Sequence, residues 1–294
     1  MKKFIYTGQI SDGSDDRIYV THLIVPPSVR EISCYNRSLS YSSVVHIELN
    51  EGLERIGCQA FLSCISLTRI VIPSTVRYID NEAFSHCSKL EHVELNEGLR
   101  WIGGRAFASC CSLEHIRIPS TTIAIGWEAF ACCHSLAHIE LCEGLLEYMG
   151  EGSFRECASL RRIRMPSTVR EIGRKAFSSC RRLVNVELNE GLTLIDVGAF
   201  RECRSLQNIN IPSTVRRIGE AAFTDCKMVH MHLNEGLECI ERKAFCECKF
   251  LEFLKIPATV EAIGESAFAN CPNLVAVEHC DEIEEFVAGE LIRD

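Results

Sequence analysis

The sequence predicts a repeat solenoid with a parallel concave β-sheet, short convex strands and turns, and a cap at each end. Three observations predict it. Residues 166–188 (PSTVREIGRKAFSSCRRLVNVEL) set out a pattern that recurs from Pro26 almost to the end of the 294-residue chain. Its apolar positions recur with it: Val169, Ile172, Ala176, Phe177, Cys180, Leu183, Val186 and Leu188. Each repeat also carries one short alternating strand, such as residues 90–95 (LEHVEL), followed by a tight corner. A fixed period of roughly 20 to 50 residues marks units that cannot bury their apolar face alone and must stack on neighbours.

Residues 1–25 read as an amino-terminal capping hairpin. Residues 4–6 and 18–20 flank a polar turn rich in Gly and Asp, and such a cap covers a sheet edge that would otherwise invite aggregation. Val20, Leu23 and Val25 already carry the apolar spacing of a repeat strand. Residues 26–279 hold eleven leucine-rich units of 22 to 25 residues, restarting at Pro26, Glu51, Pro73, Glu97, Pro119, Glu143, Pro166, Glu190, Pro212, Glu235 and Pro257. Units opening with Pro, usually as Pro-Ser-Thr-Val, alternate with units opening as Glu-Gly-Leu, so the larger period is about 46 residues. The first unit is degenerate, with a polar CYNRSLSYSS stretch where the others have Ala-Phe.

Within a unit, Gly52, Gly98, Gly144, Gly191 and Gly236 are expected to supply a positive φ at the corner. In the alternate units Pro fixes φ there and removes a donor. A second extended segment, such as residues 169–172, leads to Ala-Phe, which is expected to form a single helical or 3₁₀ turn packed inward. Residues 280–294 read as a carboxy-terminal helical cap: Ile283, Phe286, Val287 and Leu291 share one helical face, and Asp281 with Glu284 forms a capping box.

A net charge of -9 and a pI of about 5.6 argue against a nucleic-acid partner, which calls for a basic stripe. No basic amphipathic run or long apolar segment suggests a membrane. The first sixteen residues hold only a three-residue apolar run, too short for a signal-peptide core, so the expected location is cytoplasmic and the expected state a monomer.

Ten of the 18 cysteines, at 64, 87, 110, 133, 157, 180, 203, 226, 248 and 271, stand three residues after the repeat Phe and form a ladder. Zinc needs converging ligands, whereas this spacing places one thiol per coil in line along the axis. Parallel side-chain vectors also hold neighbouring Cβ atoms too far apart for disulfides. The ladder is therefore expected to be buried free thiols, small apolar fillers that each donate weakly to a corner carbonyl. The off-ladder cysteines 34, 58, 111, 132, 142, 239, 246 and 280 carry no such assignment.

The second and fourth residues after the leading Leu of each strand should face outward on the concave surface. The first column reads His46, Arg69, His92, His115, His138, Arg162, Asn185, Asn208, His230, Phe253 and Ala276. The second reads Glu48, Val71, Glu94, Arg117, Glu140, Arg164, Glu187, Asn210, His232, Lys255 and Glu278, alternating in sign from Glu94 to Glu187. Such alternation favours cross-strand charge pairs worth about 0.2 to 1 kcal/mol each. The opposite side, at Arg77, Tyr78 and their equivalents, is the alternative contact face. No G-x-S-x-G, phosphate loop, H-E-x-x-H or EF-hand pattern occurs, and Ser recurs where turn chemistry explains it.

The unit closely resembles the BspA-like subclass of leucine-rich repeats, whose motif runs Pro, apolar, Ile-Gly, Ala-Phe, Cys, Leu, apolar, apolar. The match covers roughly residues 20–279, and ten units carry both Phe and Cys at the same offset. The resemblance implies a right-handed, gently curved solenoid, interaction or adhesion roles, and no shared catalytic chemistry. The expected function is a non-enzymatic protein-interaction or scaffold module without a cofactor. Its expected contact residues are His92, Glu94, His115, Arg117, His138, Glu140, Arg162, Arg164 and Phe253 on the concave face. The alternative is a metal- or pH-responsive site on the His/Glu array, centred on His92, His115 and His138.

Overall fold

The computed structural model describes residues 3–6, 20–32, 42–274 and 276–278. Each coil runs through a concave strand, a corner, a two-residue flank strand and an arch of turns. Concave strands such as His92–Glu94, His115–Ile118 and His138–Leu141 pair in parallel with their equivalents one coil away. Flank strands such as Tyr78–Ile79, Trp101–Ile102, Ala124–Ile125 and Tyr148–Met149 do the same. Every hydrogen-bonded neighbour in both sheets comes from the next coil, which is the solenoid the repeat pattern called for.

At the amino-terminal end the turn of the expected hairpin and nearly all of its second arm, at 18–20, lie outside the described residues, and its first arm is a strand. Lys3–Ile5 pairs with His22–Ile24 in parallel, Lys3 beside His22, and so adds one more rung to the concave sheet. Parallel addition continues the inward columns: the Tyr6 N–H donates to Ile24 O at 2.9 Å and the Tyr6 side chain is buried with Leu23 and Val25. The expected helical cap at 280–294 lies outside the described residues.

Inside, ten phenylalanines from Phe61 to Phe268 stack ring on ring, with adjacent centroids 5.1 to 5.6 Å apart. The cysteine ladder runs beside them, buried and reduced. From Cys87 to Cys271 each ladder thiol donates to the carbonyl of the Phe one coil back, at 3.2 to 3.4 Å.

The Ala-Phe segment is an arch of consecutive turns and not the expected helical turn. In one coil Ala106, Ala108 and Cys110 donate to the carbonyls three residues back, while Arg105, Phe107 and Ser109 donate to Trp127, Ala129 and Ala131 of the next coil. A helix would keep every N–H within the segment, but stacking needs every second one for the neighbour. Left-handed residues produce that alternation, two per coil, here Arg105 (φ 55°) and Ser109 (φ 59°). At the other corner Gly52, Gly98 and Gly236 adopt the expected positive φ, whereas Gly144 and Gly191 do not.

The two alternating unit types interlock. In a Glu-Gly-Leu coil the Asn before the Glu reaches back to the previous Pro-type coil: Asn189 Nδ2 donates to Pro166 O at 2.7 Å and Val169 O at 3.1 Å. The next Pro-type coil closes from the other side, with Thr214 Oγ1 donating to Leu192 O at 2.7 Å and Ser213 Oγ to Glu190 at 3.2 Å. The 46-residue period is thus a stacking code in which each unit type satisfies the other's corner. Replacing Asn189 by Ala removes both donated bonds and the 2.7 Å bond its Oδ1 accepts from the Gly191 N–H. The variant is expected to lose about 2 to 3 kcal/mol, read as a lower urea midpoint at unchanged m-value.

Candidate binding surface

The concave columns stand where strand alternation places them. Each central strand reads exposed, buried, exposed, so His92, Val93 and Glu94 put His and Glu outward and Val in the core. Register aligns Arg69, His92, His115 and His138 across four coils, and Arg162 beside Asn185 and Asn208. His92, Glu94, His115 and Arg117 line one shallow cleft of about 440 Å³, together with Arg69. Arg117, Glu140 and Arg164 line a second of about 510 Å³.

Charges on this face are mostly self-neutralised. Arg69 pairs with Glu94, and Arg117 reaches both Glu97 at 3.2 Å and Glu140 at 3.3 Å. Hydrogen bonds from Ser120 and Arg117 hold the Glu97 carboxyl below its usual pKa, so it is a stable anchor for Arg117. Arg162 and Arg164 are different: both are exposed and, among the described residues, neither is in a close ion pair, although Arg164 stands in register with Glu187 and shares a cleft with Glu140 and Glu143. They form an open basic point on an acidic chain.

Two other features of the expected site concern where its residues meet. Phe253 lies well apart from the central array, in register with His230 and Ala276, half-buried with its ring 5.9 Å from His232. His92, His115, His138, Glu94 and Glu140 do not bring three ligand atoms within 4.8 Å of one another. Side chains on neighbouring parallel strands stand side by side, and the two carboxylates are paired with Arg69 and Arg117.

The flank sheet, the alternative contact face at Tyr78 and its equivalents, carries an aromatic stripe. Tyr78 stands in register with Trp101, Trp101 with Ala124, and Ala124 with Tyr148, so three large aromatics face outward around one small buried residue. Ile123, Leu145 and Trp127 are exposed in the same coils, Trp127 under the Arg105 guanidinium at 4.7 Å. The signal was present in the residue before each repeated Ile of the flank strand.

Residues 15–126, 54–184 and 170–289 match the model of the BspA type leucine rich repeat region. The chain belongs to that family. A leucine-rich-repeat protein from Bacteroides ovatus superposes with a TM-score of 0.62 at 25% identity, over 88% of this chain and 78% of that one. A leucine rich cell surface protein from Faecalibacterium prausnitzii gives 0.55 at 26% identity, over 99% and 91%. The T. pallidum leucine-rich-repeat protein gives 0.51 at 31% identity, over 64% and 78%. Among curated proteins none matches the chain. Leucine-rich-repeat proteins of this kind are generally binding modules without catalysis, and the family supports that coarse role here.

Proposed function

We propose that this BspA-type repeat protein is a non-enzymatic interaction module whose concave sheet receives an acidic segment of a protein partner at Arg162 and Arg164. The observation that carries the reading is the contrast among the concave arginines. Arg69 and Arg117 are held in close ion pairs, whereas Arg162 and Arg164 are exposed and, among the described residues, in no close ion pair, with Glu187 in register beside Arg164. An exposed arginine pair suits bidentate recognition of carboxylates. His92, His115 and His138 extend the contact along the same column. The ten ladder cysteines are buried thiols outside any disulfide, which suits a chain working in the reducing cytoplasm.

A second reading rests on the flank stripe of Tyr78, Trp101 and Tyr148, because Trp, Tyr and Arg dominate the energetics of protein interfaces. One pulldown separates the two. The native chain is compared with a concave variant (His92→Ser, His115→Ser, His138→Ser, Arg162→Ser, Arg164→Ser) and a flank variant (Tyr78→Ser, Trp101→Ser, Tyr148→Ser). All eight positions are exposed, so both variants should keep the native circular dichroism. The expected result is a partner whose recovery falls at least tenfold with the concave variant and little with the flank variant. Equal recovery by the concave variant overturns the concave placement, and loss with the flank variant alone moves the site to the stripe.

A further inference from the structure

We infer that His22, His46 and Glu48, at the amino-terminal end of the concave sheet, form a binding site for a divalent ion of the zinc class. The strands His22–Ile24 and His46–Glu48 lie side by side in parallel, with His22 in register with His46. Glu48 stands two residues beyond His46 on the same outward face. The site is a product of sheet register: two imidazoles in one column and one carboxylate in the next.

The geometry is close to what a metal needs. One ligand atom from each of the three side chains lies within 4.8 Å of the other two. His22 Nε2 is 2.8 Å from Glu48 Oε1 and His46 Nε2 is 3.6 Å from the same oxygen. Metal–ligand bonds of about 2.0 to 2.2 Å in a tetrahedral arrangement put ligand atoms roughly 3.3 Å apart, between those two distances. The rings meet edge to face, centroids 4.6 Å apart, so both nitrogens can turn to one point without collision. His22 is largely covered, with 12% of its side chain exposed, while His46 and Glu48 are about half exposed, at 58% and 51%. One ligand is therefore fixed and two line an open approach.

The same column further along shows why the ligands gather here. At Glu94 and Glu140 an arginine on a neighbouring strand takes the carboxylate. Around Glu48 the register partner is Ile24, and the corresponding residue on the next concave strand is Val71, so no cation of its column competes. Arg69, the nearest arginine of the first column, is held by Glu94. Among the described residues Lys3, in register with His22, is the flanking cation on the other side and weakens the site without filling it. Two imidazoles and a carboxylate, with no thiolate, select zinc, cobalt or nickel over calcium or magnesium. Three protein ligands leave at least one coordination position for water or for a group from a partner.

The test is calorimetric titration of the chelator-treated full chain, kept reduced, with zinc chloride, and of His46→Ala, Glu48→Gln and the control His92→Ala. Cobalt chloride absorption serves as a second probe, because cobalt bound by nitrogen and oxygen lacks the sulfur charge-transfer band that thiolate binding would give. One equivalent of zinc is expected to bind the native chain and the His92→Ala control alike, with at least tenfold weaker binding in His46→Ala and Glu48→Gln. Zinc should also raise the melting temperature of the native chain and not that of His46→Ala. Binding no tighter than about 1 mM, binding undiminished in both site variants, or a cobalt spectrum dominated by sulfur would each overturn the assignment. Because Glu48→Gln keeps the shape and polarity of the exposed side chain, loss of binding there is not a folding defect.

Discussion

Raising the pH from 8 to about 10.5 is expected to unfold this solenoid, although nothing in its exposed charge requires it. From Cys133 to Cys271 burial dominates the surroundings of each ladder thiol and pushes its pKa up, to about 12 for Cys180 and Cys271. In the unfolded chain the same thiols ionise near pH 8.5 to 9. A group whose folded pKa is the higher one adds its stability in full below the unfolded pKa and loses it as pH climbs toward the folded value. Each buried thiol then removes about 1.4 kcal/mol per pH unit. Seven acting together remove on the order of 10 kcal/mol by pH 10, comparable with the whole stability of a typical domain. Circular dichroism against pH, with reductant present, should show a cooperative loss between about pH 9.5 and 11. Replacing Cys180 and Cys203 by Ala should remove two protons from the linkage slope. A chain still folded at pH 11 would mean that the ladder is accessible to water.

That ladder was legible in the sequence because stacking forces every coil to repeat the residues that touch the next coil. Phe, Cys, Leu and the strand alternation all lie on such contacts, and the structure keeps each where the period put it. The arch was not legible. Its left-handed positions are held by residues as different as Gln59, Arg105, Cys132 and Ala221, so side-chain chemistry does not mark them. They are imposed by the need to send alternate N–H groups to the neighbouring coil, a requirement of the assembled stack and not of the local peptide.

The outward positions were legible only as columns. Alternation showed that His92, His115 and Arg164 face out, but which charges meet depends on register between coils, which sets Arg117 beside Glu140 and Arg164 beside Glu187. His22 escaped the reading because its coil precedes the first repeat, yet the structure makes it the first imidazole of the column. The repeat is interrupted at few outward places among the described residues: an arginine pair in no close ion pair, an aromatic stripe over four coils, and a carboxylate paired with imidazoles instead of arginine.

Replacing Phe154 by Ala is expected to cost about 3 to 5 kcal/mol and to divide the solenoid into two folding units. Phe154 is fully buried and its ring lies 5.4 Å from Phe130 and 5.5 Å from Phe177, nearly parallel to both. Removing it leaves a ring-sized void that rigid flanking coils cannot collapse into, and it breaks the aromatic column that runs through the ten Phe-bearing coils. In a solenoid each coil touches only its neighbours, so coupling between the halves runs through this rung and the sheet bonds around it. Both tryptophans, Trp101 and Trp127, lie on the amino-terminal side of the break. Fluorescence therefore reports one half while circular dichroism reports both. The native chain should unfold in urea with coincident curves, and Phe154→Ala should separate them. Phe268→Ala, whose ring stacks on Phe245 alone among the described residues, should cost less and leave the curves coincident. Equal losses for the two variants with no separation would mean that the flanking sheets, and not the aromatic column, carry the cooperativity of the rod.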